Sequence, residues 1–231
     1  MYSCKEKIKG KNEEICREKG MEKSYVLLWM KKIIICTLSL VMLGLGTVMV
    51  VKATLGNDPI SVLYEGLGVF TKIDMGIAAN IINCILAVIV FFVDRKYIHI
   101  GTLIYAVVLG SSISFWLSIF NKFAMPNGLL WHVGLAVSGY VLAFISVSAY
   151  IAINIGVDPW TATALIISKR AKKPFGKIRI FIDTSALIIG YFLGGTVGIM
   201  TLASALTGGP CIQKISEFLD KLFSKMLKYS R

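Results

Sequence analysis

The chain has 231 residues, 56% hydrophobic and 16% charged, with a mean hydropathy of +0.73, which excludes a soluble single-core protein and implies an all-α integral membrane protein. The formal net charge of +12, from 25 Lys and Arg against 13 Asp and Glu, would suggest nucleic acid in a soluble protein. In a membrane protein charge first reports topology, so no nucleic-acid partner is expected.

In chain order, residues 1–32 form a charged cytoplasmic tail. Residues 1–24 mix Lys and Glu without an apolar stripe and are expected to be disordered, with Met21 as an alternative start. A hydrocarbon core about 30 Å thick needs roughly 20 apolar residues of helix. Six segments qualify: 33–51, 75–93, 97–120, 129–153, 178–195 and 196–212, the last being the shortest. The first lacks a small-residue cleavage site and reads as a retained helix, not a signal peptide. After spans 1 and 4 come Asp58-Pro59 and Asp158-Pro159, each with the chemistry of a helix start: Asp accepts backbone N–H groups, and Pro at the first helical position lacks an N–H that would have no partner. The stretches that follow, 60–70 and 160–170, would rise only about 16 Å as helix, too little to cross. They are interfacial helices or half-helices dipping into the protein. Beyond 213, Ile215, Phe218, Leu219, Leu222, Phe223, Met226 and Leu227 recur at helical spacing between Lys214, Lys221, Lys225 and Lys228, the pattern of an amphipathic helix on the cytoplasmic leaflet.

With the N-terminus cytoplasmic, only Lys52, Lys72 and Lys122 fall in external loops and the other 22 basic residues are cytoplasmic. The positive-inside rule therefore predicts a multi-pass protein of a cytoplasmic membrane with both termini inside. Trp29, Trp116, Trp131 and Trp160 fall at span ends or loop edges, where an interfacial aromatic belt belongs.

The sequence also repeats itself at an offset of 100. Leu55-Gly56-Asn57-Asp58-Pro59-Ile60 matches Ile155-Gly156-Val157-Asp158-Pro159-Trp160, and Gly76, Ile82, Asn83, Ile89 and Phe92 match Gly176, Ile182, Asp183, Ile189 and Phe192. After one deletion, Thr102-Leu103 and Gly110 match Thr201-Leu202 and Gly209. Residues 33–120 and 129–212 are thus two three-span units. An odd number of spans inserts the second unit inverted, with Asp58-Pro59 facing outward and Asp158-Pro159 inward. Inverted repeats are a common construction of secondary transporters.

The pattern G-L-G at 44–46, A-x-L-G-x-D-P at 53–59, G-L at 66–67, Gly76, and I-G-T-L at 100–103 followed by Gly110 resembles the YczE/YyaS/YitT-type family of small bacterial integral membrane proteins. The similarity covers 33 to about 212. It implies a bacterial cytoplasmic-membrane protein and supplies no substrate or catalytic residues.

Asn83 and Asp183 occupy equivalent repeat positions near mid-span. An Asp at a helix centre costs about 2.5–3.5 kcal/mol on insertion scales, so such residues usually face a bundle interior and mark ion or proton paths. Two readings stand: Asp183 faces Asn83 across the pseudo-two-fold axis and binds a cation, proton or polar substrate, or it is a structural residue, protonated or paired near Lys177 and Arg179. Asp58, Asp158, Pro59 and Pro159 complete the candidate pathway, as gating half-helix starts or as plain caps. Five scattered cysteines and two histidines, with no metal-ligand spacing, leave no metal site, cofactor or enzyme expected. The basic run Lys169, Arg170, Lys172, Lys173, Lys177 and Arg179 is a topogenic loop that attracts anionic lipid. Functionally the expectation is a secondary transporter or channel-like permease for a small molecule or ion. The alternative is a non-transporting membrane partner or substrate-capture subunit. Besides the lipid bilayer, the partners kept open are a second copy and another membrane protein.

Overall fold

The structure, a computed structural model, describes residues 26–123, 126, 128–204, 207–208 and 211–223. The disordered tail expected over 1–24 lies outside them. Every regular element among the described residues is helical: α1 (Val26–Ala53), α2 (Pro59–Thr71), α3 (Met75–Val93), α4 (Ile100–Phe120), α5 (Leu129–Ile153), α6 (Pro159–Ala171), α7 (Phe175–Phe192) and α8 (Ile199–Lys228), with one 3-10 turn at Arg95–Tyr97. Among them α1, α3, α4 and α5 are long and apolar enough to cross a membrane. The expected fifth span falls on α7, which carries Lys177, Arg179 and Asp183 and is the more polar for it. The expected sixth span and the amphipathic segment after it are one helix, α8, instead of two elements. The breakers at the junction, Gly208-Gly209-Pro210, do not end the helix, which runs through them.

The packing is that of a membrane protein. Large apolar residues point outward in stripes four residues apart: Val26, Met30, Ile34 and Leu38 on α1, Ile77, Ile81 and Ile85 on α3, Val133, Val137, Val141 and Ile145 on α5. The interior is rich in small residues instead, with Ala53, Ala78, Ala79, Ala106, Ala136, Ala162, Ala164 and Ala186 buried. Lipid tails solvate the large side chains as well as a core would, so helices gain by bringing small residues together. Gly46 and Gly139 hold α1 against α5, and Gly76 and Gly110 hold α3 against α4. The α1–α5 pair is flanked by α4 on the α1 side and α8 on the α5 side, while α2 and α6 each pack against both α3 and α7. The Asp-Pro helices are therefore inside the bundle, not laid on its surface.

Positions one hundred apart share their backbone geometry. The non-glycine residues at positive φ are Thr54 and Asn154 (φ 55 and 52) and Lys72 and Lys172 (φ 58 and 52), ending the helix before and the helix after each Asp-Pro pair. Each Asp-Pro loop also docks on a helix of the other unit. The Leu55 carbonyl accepts from Met200 N at 3.1 Å, and the Ile155 carbonyl from Gly101 N at 3.3 Å. Thr201 Oγ1 accepts from Gly198 N at 3.2 Å, and Thr102 Oγ1 from His99 N at 3.4 Å. A Cβ on Gly56 (φ +104) would lie 2.6 Å from Thr201 Oγ1, and one on Gly156 would lie 2.9 Å from Thr102 N. Loop 55–56 thus seats on the start of α8, and loop 155–156 on the start of α4.

Candidate functional site

Both Asp-Pro pairs cap as their chemistry requires. Asp58, in extended conformation, accepts from Ser61 N at 3.2 Å; Asp158 accepts from Thr161 N at 2.9 Å, and Pro59 and Pro159 open α2 and α6. Each helix has 13 residues, a rise of about 20 Å, and ends at an αL lysine. Of the two prolines, Pro159 is fully buried and Pro59 half-buried.

The start of α6 joins the two mid-helix polar residues. Trp160 Nε1 donates to Tyr64 Oη at 2.8 Å, and Tyr64 Oη donates to Asn83 Oδ1 at 3.1 Å. An indole N–H only donates, so the tyrosine must pass its own proton onward, and Asn83 must turn its oxygen to meet it. Asn83 Nδ2 is left without a partner in a fully buried residue. One residue further along α6, Thr161 Oγ1 accepts from Arg179 Nη1 at 3.0 Å, and Arg179 Nε donates to Asp183 Oδ2 at 2.9 Å. Asp183 Oδ1 is buried and has no partner. Tyr64 on α2, Asn83 on α3 and Arg179 and Asp183 on α7 thus gather, in two separate hydrogen-bond chains, around adjacent residues of the first turn of α6, and form a polar cluster there.

No hydrogen bond joins Asn83 to Asp183 among the described residues: Asn83 bonds Tyr64, and Asp183 bonds Arg179, the partner named in the second sequence reading. Asp183 is paired with Arg179 one turn earlier on α7, and both keep about a quarter of their side chains exposed, at 27% and 28%. Arg179 is thereby turned inward, out of the basic run counted as a topogenic loop. Trp160 is likewise no interfacial belt residue. It is 7% exposed, because α6 is enclosed by α3 and α7 and its first turn points the indole at Tyr64.

The charges of both caps reach this cluster. The carboxylates of Asp58 and Asp158 each interact electrostatically with Tyr64, Tyr105 and Asp183, and Asp158 also with Arg179 and Tyr150. Tyr105 and Tyr150 pack against each other beside it, with ring centroids 5.4 Å apart and planes tilted by 56°, and the buried Tyr150 hydroxyl has no partner. Sequence reasoning missed Tyr64 and Trp160, which carry no signal as apolar-compatible residues in an apolar run.

It also missed Glu65, counted as an external loop charge. Glu65 lies on α2, where Oε2 accepts from Asn57 Nδ2 at 2.6 Å and Thr196 N at 3.0 Å, and Oε1 from Thr196 Oγ1 at 2.8 Å. It ties the loop before α2 to the loop before α8. A carboxylate seven residues, or two turns, after Asp58 and eight residues after Asn57 was the available hint. Among the described residues no group of three His, Cys, Asp or Glu could hold a metal ion.

A family profile described as a family of unknown function (DUF6198) matches residues 30–217. An uncharacterised protein of Haemophilus influenzae (strain ATCC 51907 / DSM 11121 / KW20 / Rd) is 27% identical over 194 residues, 83% of this chain and 86% of that protein. The uncharacterised protein YyaS of Bacillus subtilis (strain 168) is 24% identical over 186 residues, 80% of this chain and 92% of that one, in keeping with the motif resemblance. No solved structure matches the chain.

Proposed function

The chain belongs to the DUF6198 family, whose function is unknown, and from that premise we propose that it is a small secondary transporter or permease of a bacterial cytoplasmic membrane, not an enzyme. In this reading α1, α3 and α4, then α5, α7 and α8, form two inverted three-span units, both termini are cytoplasmic, and the remaining basic residues of the α6–α7 loop face anionic lipid. The observation that carries it is the convergence of both Asp-Pro caps on one partly buried polar cluster. Short helices that end inside the protein are tolerated where they line a path, and half-helices at a repeat interface are where transporters hold their substrates.

The unequal packing of the repeats supports the same reading. Gly76 abuts Gly110 between α3 and α4, whereas its counterpart Gly176 has open space at the start of α7. Gly66 abuts Gly190 between α2 and α7, whereas the equivalent α6–α3 contact is made by Ile166 and Val90. Two copies of one unit in two packings are what alternating access exchanges.

The test has two parts. In a cysteine-free background, Lys72→Cys and Lys172→Cys should label with an impermeant maleimide from opposite faces of sealed vesicles; labelling from one face ends the inverted arrangement. Purified protein in liposomes should then move a ligand that stabilises it, and flux no faster than in empty liposomes ends the transport assignment.

A further inference from the structure

We propose that the cluster between α2, α3, α6 and α7 takes one small protonated amine that also carries a hydrogen-bond acceptor, with Asp183 Oδ1 receiving its N–H and Asn83 Nδ2 serving its acceptor. This deepens the transport reading and rests on it for the site, though not for the chemistry of the ligand.

Charge is the first argument. Three carboxylates, Asp58, Asp158 and Asp183, act on the cluster, and one guanidinium, Arg179, answers them. The two helix N-termini at Asp58 and Asp158 each supply about half a positive charge. The sum leaves about one negative charge, enough for one monovalent cation and unfavourable to an anion. Local hydrogen bonding is the second. Asn83 is wholly buried, and its orientation is fixed by the Trp160–Tyr64 relay, so Nδ2 is a donor aimed at an acceptor the chain does not provide. Asp183 Oδ1 is an acceptor in the same state. A buried polar group without a partner costs about 1–3 kcal/mol, so both atoms favour a molecule that brings a donor and an acceptor.

The third argument separates an amine from an alkali ion. A dehydrated alkali ion needs a shell of several oxygens, and Asn83 Oδ1, Thr161 Oγ1, Asp183 Oδ2 and Tyr64 Oη each have one lone pair engaged by a hydrogen bond already, which makes them poorer ligands for it. What the cluster offers instead is aromatic: Tyr64 and Trp160, with the tilted pair Tyr105 and Tyr150 beside them, and aromatic rings attract organic cations.

The probe is ethanolamine hydrochloride in a thermal-unfolding series on the purified protein, against sodium chloride, potassium chloride, sodium acetate and choline chloride at equal ionic strength. Ethanolamine should raise the melting temperature in a saturable way, the inorganic salts and acetate should not, and choline, which has no N–H for Asp183, should be weaker. Asp183→Asn should weaken the effect roughly tenfold or more in concentration, as expected for one lost charge-assisted bond. Asn83→Ser should weaken it too, and it carries the test if Asp183→Asn does not fold. Stabilisation by acetate or by Na+ alone, choline as effective as ethanolamine, no effect of ethanolamine, or an unchanged response in both variants overturns the proposal. Saturable amine binding without flux in liposomes would remove transport and leave this inference standing, whereas flux of an anion would do the reverse.

Discussion

Adding one methyl group at each of two repeat-related glycines should have opposite effects. Gly76 and Gly176 both sit second in their helices, α3 and α7. A Cβ on Gly76 would collide with the Gly110 carbonyl and Ser114 Oγ and lie 2.6 Å from Ser114 N, all on α4, two of the three being backbone. On Gly176 it would meet nothing within 4 Å. Overpacking of this kind costs about 1–3 kcal/mol, and the helix-propensity gain of Gly→Ala returns at most about 1 kcal/mol, less in a first turn. Gly76→Ala should therefore destabilise by about 1–2 kcal/mol, whereas Gly176→Ala should be neutral or stabilising by up to about 1 kcal/mol. At about 2–4 °C per kcal/mol for a chain of this size, the first should melt roughly 2–8 °C lower and the second unchanged or slightly higher. The assay is apparent melting temperature in one detergent at one scan rate, read by tryptophan fluorescence. Equal losses in both variants, or a larger loss at Gly176, would refute the unequal packing of α3–α4 and α7–α8.

Three further outcomes follow from the site. Tyr64→Phe strips the partner from Trp160 Nε1 and Asn83 Oδ1 together and should cost about 1–3 kcal/mol, with the indole emission of Trp160 changed, measured against a variant keeping Trp160 alone among the tryptophans. Glu65→Gln and Thr196→Ala should each destabilise and be coupled by about 0.5–3 kcal/mol in a double-mutant cycle, because Thr196 Oγ1 donates to Glu65 Oε1 across the α2 and pre-α8 segments; additivity would deny that side-chain tie, the bond from Thr196 N being kept by the alanine. Asp58→Ala and Asp158→Ala should each cost about 0.5–2 kcal/mol as lost caps, and Asp→Asn at either site should recover most of it, since Asn caps as well. Failure of Asn to recover stability would show that the charge itself matters to folding there.

The Asp-Pro starts and the positions of α3 and α5 could be read from sequence because each depends on local chemistry or on length. An Asp before a Pro caps whatever surrounds it, and residues 75–93 and 129–153 are apolar for the full thickness of a bilayer. The polar cluster was harder to read. Asn83 and Asp183 were visible as polar residues in apolar runs, but which atoms they meet depends on helices that are distant in the chain. Tyr64 is 96 residues from Trp160 and Glu65 is 131 from Thr196. Arg179, four residues before Asp183, was in view all along, and the choice between it and Asn83 as partner needed the rotation of α7 against α6.

The sequence by itself determined the apolar solvent and most of the helices, since hydropathy and caps are properties of the chain before it folds. Only the tertiary structure decided that loop 55–56 seats on α8 and loop 155–156 on α4, and that Asp183 pairs with Arg179 while Asn83 bonds Tyr64. Between helices in an apolar medium, contact is chosen by how closely two backbones can approach and by which polar atoms lack a partner. Those quantities are set by Gly66 against Gly190 and by Trp160 against Tyr64, pairs that exist only once the helices are packed.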